Sequence, residues 1–118
     1  MELIEQLSQA ALARDNLRLR GLAQDLLYSK TPLNKLARPS GRDPRVLAVC
    51  ASIVELLAAH QGQEPPAWTK KIGALNEPFF LIESAARMKR LRELCETQSP
   101  EPLRKRRLYA PPNFLQFA

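Results

Sequence analysis

Leu3, Ile4, Leu7, Ala10, Ala11 and Ala13 recur at intervals of three and four, the spacing of one buried helix face. Asp15 has the chemistry of an N-cap, so the pattern favours a break at Arg14-Asp15-Asn16, with a continuous helical surface as the alternative. A second helix follows, carrying Leu17, Leu19, Leu22, Leu26 and Leu27. Between Ser29 and Pro44 the periodicity fails. Thr31-Pro32, a cap followed by a proline, predicts a short helical turn over residues 32–37, and Arg38-Pro39-Ser40-Gly41 reads as a loop. Asp43-Pro44 repeats the cap-plus-proline start and opens the most apolar element, which runs to about Gln61. Val46, Leu47, Val49, Cys50, Ile53, Val54, Leu56, Leu57 and Ala58 cover more than one of its faces, which places it at the centre of the core. Gly62 is its expected C-terminal cap.

Beyond Gly62 the chain is punctuated by proline. Gln63-Glu64-Pro65-Pro66-Ala67 is an extended segment leading to Trp68, the only tryptophan, whose large apolar surface is expected to seal one end of the core. A partner-binding hot spot is the alternative reading of Trp68. Residues 70–75 are expected to form a short helix. Asn76-Glu77-Pro78 marks another helix start, followed by the apolar cluster Phe79-Phe80-Leu81-Ile82. Residues 83–96 read as a second strong helix with Ala85, Met88, Leu91, Leu94 and Cys95 on its apolar face. Ser99-Pro100 opens a short basic turn that runs through Arg107. The apolar stretch from Leu108 onward should dock on the body or on a partner rather than stay in water. No run alternates with a period of two for long. The expected fold is therefore all-α: a compact single-domain bundle over residues 1–118, with about four longer helices and short proline-started turns. Residues 1–45 would supply the N-terminal helices and residues 46–118 the rest.

The composition removes several function classes. With 118 residues the chain can build one core. No window of eighteen uncharged apolar residues exists, so no membrane span is expected. The acidic, amphipathic start is not a secretory signal, so a cytoplasmic protein is expected. Cys50 and Cys95 fall in helical apolar patterns and are expected to be buried free thiols. His60 is the only histidine, and with two cysteines it cannot complete a zinc site unaided. The four glycines lie too far apart for a phosphate-binding loop. Ten positions separate Cys50 from His60, almost three helical turns, so the two cannot touch along one helix. The expectation is a protein that is not an enzyme, with no catalytic residue, metal or cofactor.

Charge is distributed unevenly. Arg87, Lys89, Arg90, Arg92, Arg104, Lys105, Arg106 and Arg107 stand against Glu93, Glu96 and Glu101, so residues 87–107 hold five of the six net positive charges. Three readings fit such a patch: a solvated helix face whose arginine stems lie on apolar surface, a phosphate-binding footprint with Tyr109 as a stacking ring, and a contact for an acidic protein. The partner-binding residues expected from sequence are Arg87, Lys89, Arg90, Arg104, Lys105, Arg106, Arg107, Tyr109 and Trp68. A helix-turn-helix fits poorly, because the second helix of the first half would be too short to fill a major groove. Small helical domains often lack core area, which favours a homodimer, but no heptad seam runs along the chain.

In the second half, Pro66-Ala67-Trp68, Leu75-Asn76-Glu77-Pro78-Phe79-Phe80, Ser99-Pro100-Glu101-Pro102-Leu103-Arg104 and Arg107-Leu108-Tyr109-Ala110-Pro111-Pro112-Asn113-Phe114-Leu115 follow one another. This order resembles a family of small bacterial helical proteins, the antitoxin-side partners encoded beside toxins of the minimal nucleotidyltransferase type. The likeness covers residues 46–118. It implies a helical module that binds and neutralises a nucleotidyltransferase-like partner enzyme. In some relatives a similar module follows a DNA-binding helix-turn-helix domain, for which residues 1–45 show no convincing pattern. The alternative function is a small basic nucleic-acid-binding regulator.

Overall fold

The structure, a computed structural model, describes residues 3–29, 32–39 and 41–115, with the backbone alone at Ala86. Helix α1 spans Leu3–Leu12 and buries Ile4, Leu7, Ala10 and Ala11, the periodic face of the sequence. It ends in a left-handed residue, Arg14 at φ 59°. The Asp15 amide donates to the Ala10 carbonyl at 2.9 Å and the Arg14 amide to that of Ala11 at 3.0 Å, the two reversed bonds of a Schellman ending. Asp15 at once caps α2, Asn16–Tyr28, by accepting from the Arg18 amide at 3.1 Å. The expected break is therefore a corner with no linker.

A 3₁₀ turn at Leu33–Lys35 takes the place of the expected turn over residues 32–37, with Pro32 at its N-cap; Thr31 lies outside the described residues. Helix α3, Pro44–His60, begins as expected, with the Asp43 carboxylate accepting from the Arg45 amide at 2.9 Å. Residues 47–58 are all buried. The helix sits between α1, the short helix α5 (Glu101–Arg104) and the 3₁₀ turn Ala67–Lys71. Gly62, at φ 66°, completes its Schellman ending, with Gln63 donating to Ala58 at 2.8 Å and Gly62 to Ala59 at 3.3 Å.

The second half is mostly helical but departs from the expected elements in three places, of which one is a strand pair. Phe79–Phe80 is not a helix start but a strand, β1, which pairs in parallel with β2, Leu108–Tyr109, in the register Phe79 to Leu108 and Phe80 to Tyr109. Aromatic residues behind a proline suit an extended chain. The distant partner that makes the extension a strand was invisible in the local pattern. Residues 83–96 are also not one helix. A 3₁₀ turn at Glu83–Ala86 ends at Arg87, and α4 spans Lys89–Gln98, so Met88 lies outside the helix and is 57% exposed rather than on a buried face. The expected short helix over residues 70–75 is replaced by the Ala67–Lys71 turn.

Ser99 does not cap α5; Pro100 holds that position. Its buried hydroxyl instead accepts from the Ala110 amide at 2.9 Å and shares its one hydrogen between the carbonyls of Ala110, at 2.8 Å, and Cys95. This bridge ties the end of α4 to the strand that follows α5. Leu108, Ala110, Phe114 and Leu115 then bury into the core formed by α1, α2 and α3, so the described part of the apolar tail docks on its own body. Among the described residues no helix is long and apolar enough to cross a membrane.

Candidate interaction surface

The basic run at residues 104–107 does not point one way. Arg104 ends α5, exposed, and donates to the Thr97 carbonyl at 2.9 Å. Lys105 reaches Glu55 at 3.0 Å. Arg106 turns inward and is 1% exposed, which corrects its expected place in the surface patch. Its guanidinium grips both carboxylate oxygens of Glu55, at 2.7 and 3.1 Å, and donates to the carbonyls of Thr69, Ile72 and Pro102 at 2.8, 3.1 and 3.0 Å. A guanidinium has five donors in a fixed fork, and here the fork binds the central helix to two other segments, the Ala67–Lys71 turn and α5. Burial raises the Glu55 pKa, but the hydrogen bonds of Arg106, Lys105 and Thr69 and the charge of Arg106 outweigh it and hold the carboxyl at about 2, against 4.5 ordinarily.

Arg107 follows at φ 64°, exposed, with its guanidinium on the Asn76 carbonyl at 2.7 Å and its own carbonyl accepting from the Phe79 amide at 3.0 Å. Trp68 is half-buried against Ile4, Cys50 and Val54, and its indole N–H donates to the Leu36 carbonyl at 2.8 Å. It closes one end of the core. Arg87 is exposed and lies 3.5 Å from Glu83. Lys89 and Arg90 are exposed on the first turn of α4, with no ionic partner among the described residues.

Tyr109 is where the structure assembles something the sequence did not show. The β1–β2 register sets its ring beside Phe80, with centroids 5.3 Å apart and planes tilted by 35°. Three guanidiniums from three distant segments lie against β1, two over Phe79 and one over Phe80, neighbours whose side chains alternate between the faces of a strand. Arg14, from the α1–α2 corner, and Arg45, from the start of α3, lie 4.7 and 5.3 Å from the Phe79 ring centre. Arg92, from α4, lies 5.4 Å from that of Phe80. Arg14 also donates through Nε to the Phe80 carbonyl at 2.9 Å. All three arginines are exposed, and Phe79, Phe80 and Tyr109 are half-buried. The two non-glycine residues of the left-handed region that flank β1, Arg14 and Arg107, both hold it through side-chain bonds to backbone carbonyls.

Sequence reasoning named Tyr109 as a candidate but did not name Phe79, Phe80, Arg14, Arg45 or Arg92, although it counted Arg92 in the basic run. The available signal was the pair of aromatics after Asn76-Glu77-Pro78, which favours a strand; nothing local linked it to arginines of the first half. The nearby concavities are open. A groove of about 500 Å³ is lined by Asp43, Pro44, Arg45, Leu75, Asn76 and Glu77, and a smaller one of about 220 Å³ by Glu83, Ser84, Arg87 and Met88. Shallow grooves beside exposed arginines suit a macromolecular contact better than an enclosed small molecule. Cys50 and Cys95 are buried and free, and burial together with the charge of Glu96 pushes the Cys95 thiol pKa up. His60 is exposed at the end of α3. Among the described residues no cluster of His, Cys, Asp and Glu has the grouping of a metal site.

The chain matches no protein-family model, no curated protein and no solved structure.

Proposed function

We propose that the protein is a non-enzymatic interaction module, an antitoxin-like partner that binds and neutralises an acidic enzyme. The observation that carries this reading is the placement of Arg14, Arg45 and Arg92 against the rings of β1, with the exposed cations Lys89 and Arg90 on the same helix as Arg92. Arginine and aromatic side chains are what the centres of protein interfaces are enriched in. A guanidinium already lying over a ring loses less freedom when it meets a carboxylate than a side chain moving freely in water. The resemblance of residues 46–118 to antitoxin-side proteins names the enzyme class, a nucleotidyltransferase-like toxin. The metal-binding carboxylates of such an enzyme would accept bidentate arginine in place of magnesium or substrate phosphate.

The test is co-expression with a toxin of the minimal nucleotidyltransferase type, scoring co-purification and relief of growth arrest. Arg45→Glu with Arg92→Glu is expected to abolish both while the far-UV circular dichroism stays native, since both side chains are exposed. Neutralisation that survives the double reversal refutes the proposed surface. Replacing residues 104–107 as a block would be uninformative, because it removes the buried Arg106 with the exposed cations.

Nucleic-acid binding is the second reading, favoured by the adjacent Phe80 and Tyr109 rings among cations. Phosphate contacts weaken steeply with salt, whereas a packed protein interface loses less, so the salt slope of binding separates the two.

A further inference from the structure

Helix α2 carries apolar residues on two opposite sides. Leu19, Ala23 and Leu26 are buried in the body, whereas Leu17 and Tyr28 are 85% and 79% exposed. At 3.6 residues per turn, Leu17, Gly21, Gln24 and Tyr28 fall on one strip, half a turn away from the buried line. Their spacing of four, three and four is that of a helix–helix seam. Space around Gly21 is open, since a side chain built there would meet nothing within 4 Å. Another helix can therefore approach the α2 backbone closely at that point.

We propose that this strip is a self-association surface, occupied by α2 of a second copy lying antiparallel. Charge selects the occupant and its direction. Arg18 and Asp25 are both exposed and sit seven residues apart on the same flank of the strip. In an antiparallel pair like flanks meet, so Arg18 of each copy faces Asp25 of the other, twice per dimer. The same arrangement lays Leu17 of each copy against Tyr28 of the other at the two ends and Gly21 against Gln24 in the middle. A parallel pair would bring unlike flanks together, so that Arg18 and Asp25 would not meet, and would align the two helix dipoles side by side. From Leu17 to Tyr28 the seam is only about 16 Å long. A contact this small supports a weak dimer, with a dissociation constant of roughly 100 µM. A seam of four positions is also too short to register as a heptad pattern in the sequence.

Sedimentation velocity of the full chain from about 10 µM to about 1 mM tests this, a range that brackets the expected constant. The wild-type sedimentation coefficient should rise across the series, and Leu17→Glu or Tyr28→Glu should hold it at the monomer value. Arg18→Asp and Asp25→Arg each turn both cross-pairs repulsive, so each should weaken association by about tenfold. An equimolar mixture of those two variants should recover wild-type association, because both pairs are then opposite in charge again. A wild-type chain that stays monomeric throughout overturns the proposal. So does an Arg18→Asp variant that associates like wild type, or a mixture that associates no better than its components. All four residues are exposed, and circular dichroism of each variant serves as the fold control.

Discussion

Replacing Arg106 with methionine probes the centre of the molecule most directly. Methionine has a similar length and no donors, so Arg106→Met removes the paired bonds to Glu55 and those to the Thr69, Ile72 and Pro102 carbonyls. Glu55, 8% exposed, keeps the Lys105 ammonium at 3.0 Å and a hydrogen bond with the Thr69 side chain. Breaking one side of a buried ion pair costs about 3–5 kcal/mol, against a total stability of roughly 5–15 kcal/mol for a domain. With a urea slope near 2 kcal/mol per molar, the unfolding midpoint should fall by about 2 M. Trp68 fluorescence and far-UV circular dichroism report the transition. Adding Glu55→Gln should return part of the loss but not all of it. The three carbonyls still lack their donor, and each buried unpaired acceptor costs about 1 kcal/mol or more. The pair also sets an acid limb. The Glu55 pKa in the folded protein is about 2, below its ordinary 4.5, so the folded state binds fewer protons. Its contribution, about 3 kcal/mol, is complete above pH 4.5 and is lost as the pH falls towards 2. Glu55→Gln should flatten that part of the stability curve. An Arg106→Met loss below about 1 kcal/mol, within the range of ordinary surface substitutions, would refute the view that this pair binds the central helix to the second half.

Three further outcomes follow from particular bonds. Gly62→Ala should destabilise by about 1 kcal/mol through the backbone alone, because φ is 66° and the added Cβ meets open space; urea melts check it. Ser99→Ala should cost about 1–3 kcal/mol by leaving the Ala110 amide and carbonyl unpaired, and amide hydrogen exchange at Ala110 should accelerate more than at α1. Cys50 and Cys95, both 0% exposed, should resist a thiol reagent such as an aromatic disulfide until the chain opens. Their reaction rate should then follow urea concentration, and rapid labelling in native buffer would contradict the burial.

Most of the helical framework could be read locally. The α1–α2 corner, the Asp43-Pro44 start and the Gly62 ending depend on residues within five positions of one another, and cap chemistry is short-ranged. The largely apolar middle of α3 announced its own central place, since a helix apolar over more than one face must be covered on several sides. Tertiary structure decided where partners lie far apart in the chain. Phe79-Phe80 becomes a strand only because Leu108-Tyr109 runs beside it, and no local pattern contains that pairing. Arg106 and Arg107 are adjacent and chemically alike. One is buried on Glu55 and the other exposed, because the turn after α5 aims neighbouring side chains in different directions. The arginines that lie against β1, Arg14, Arg45 and Arg92, likewise come from three separate elements. Composition counted the cations correctly, but charge acts through distance, and distances between segments come into being only when the chain folds.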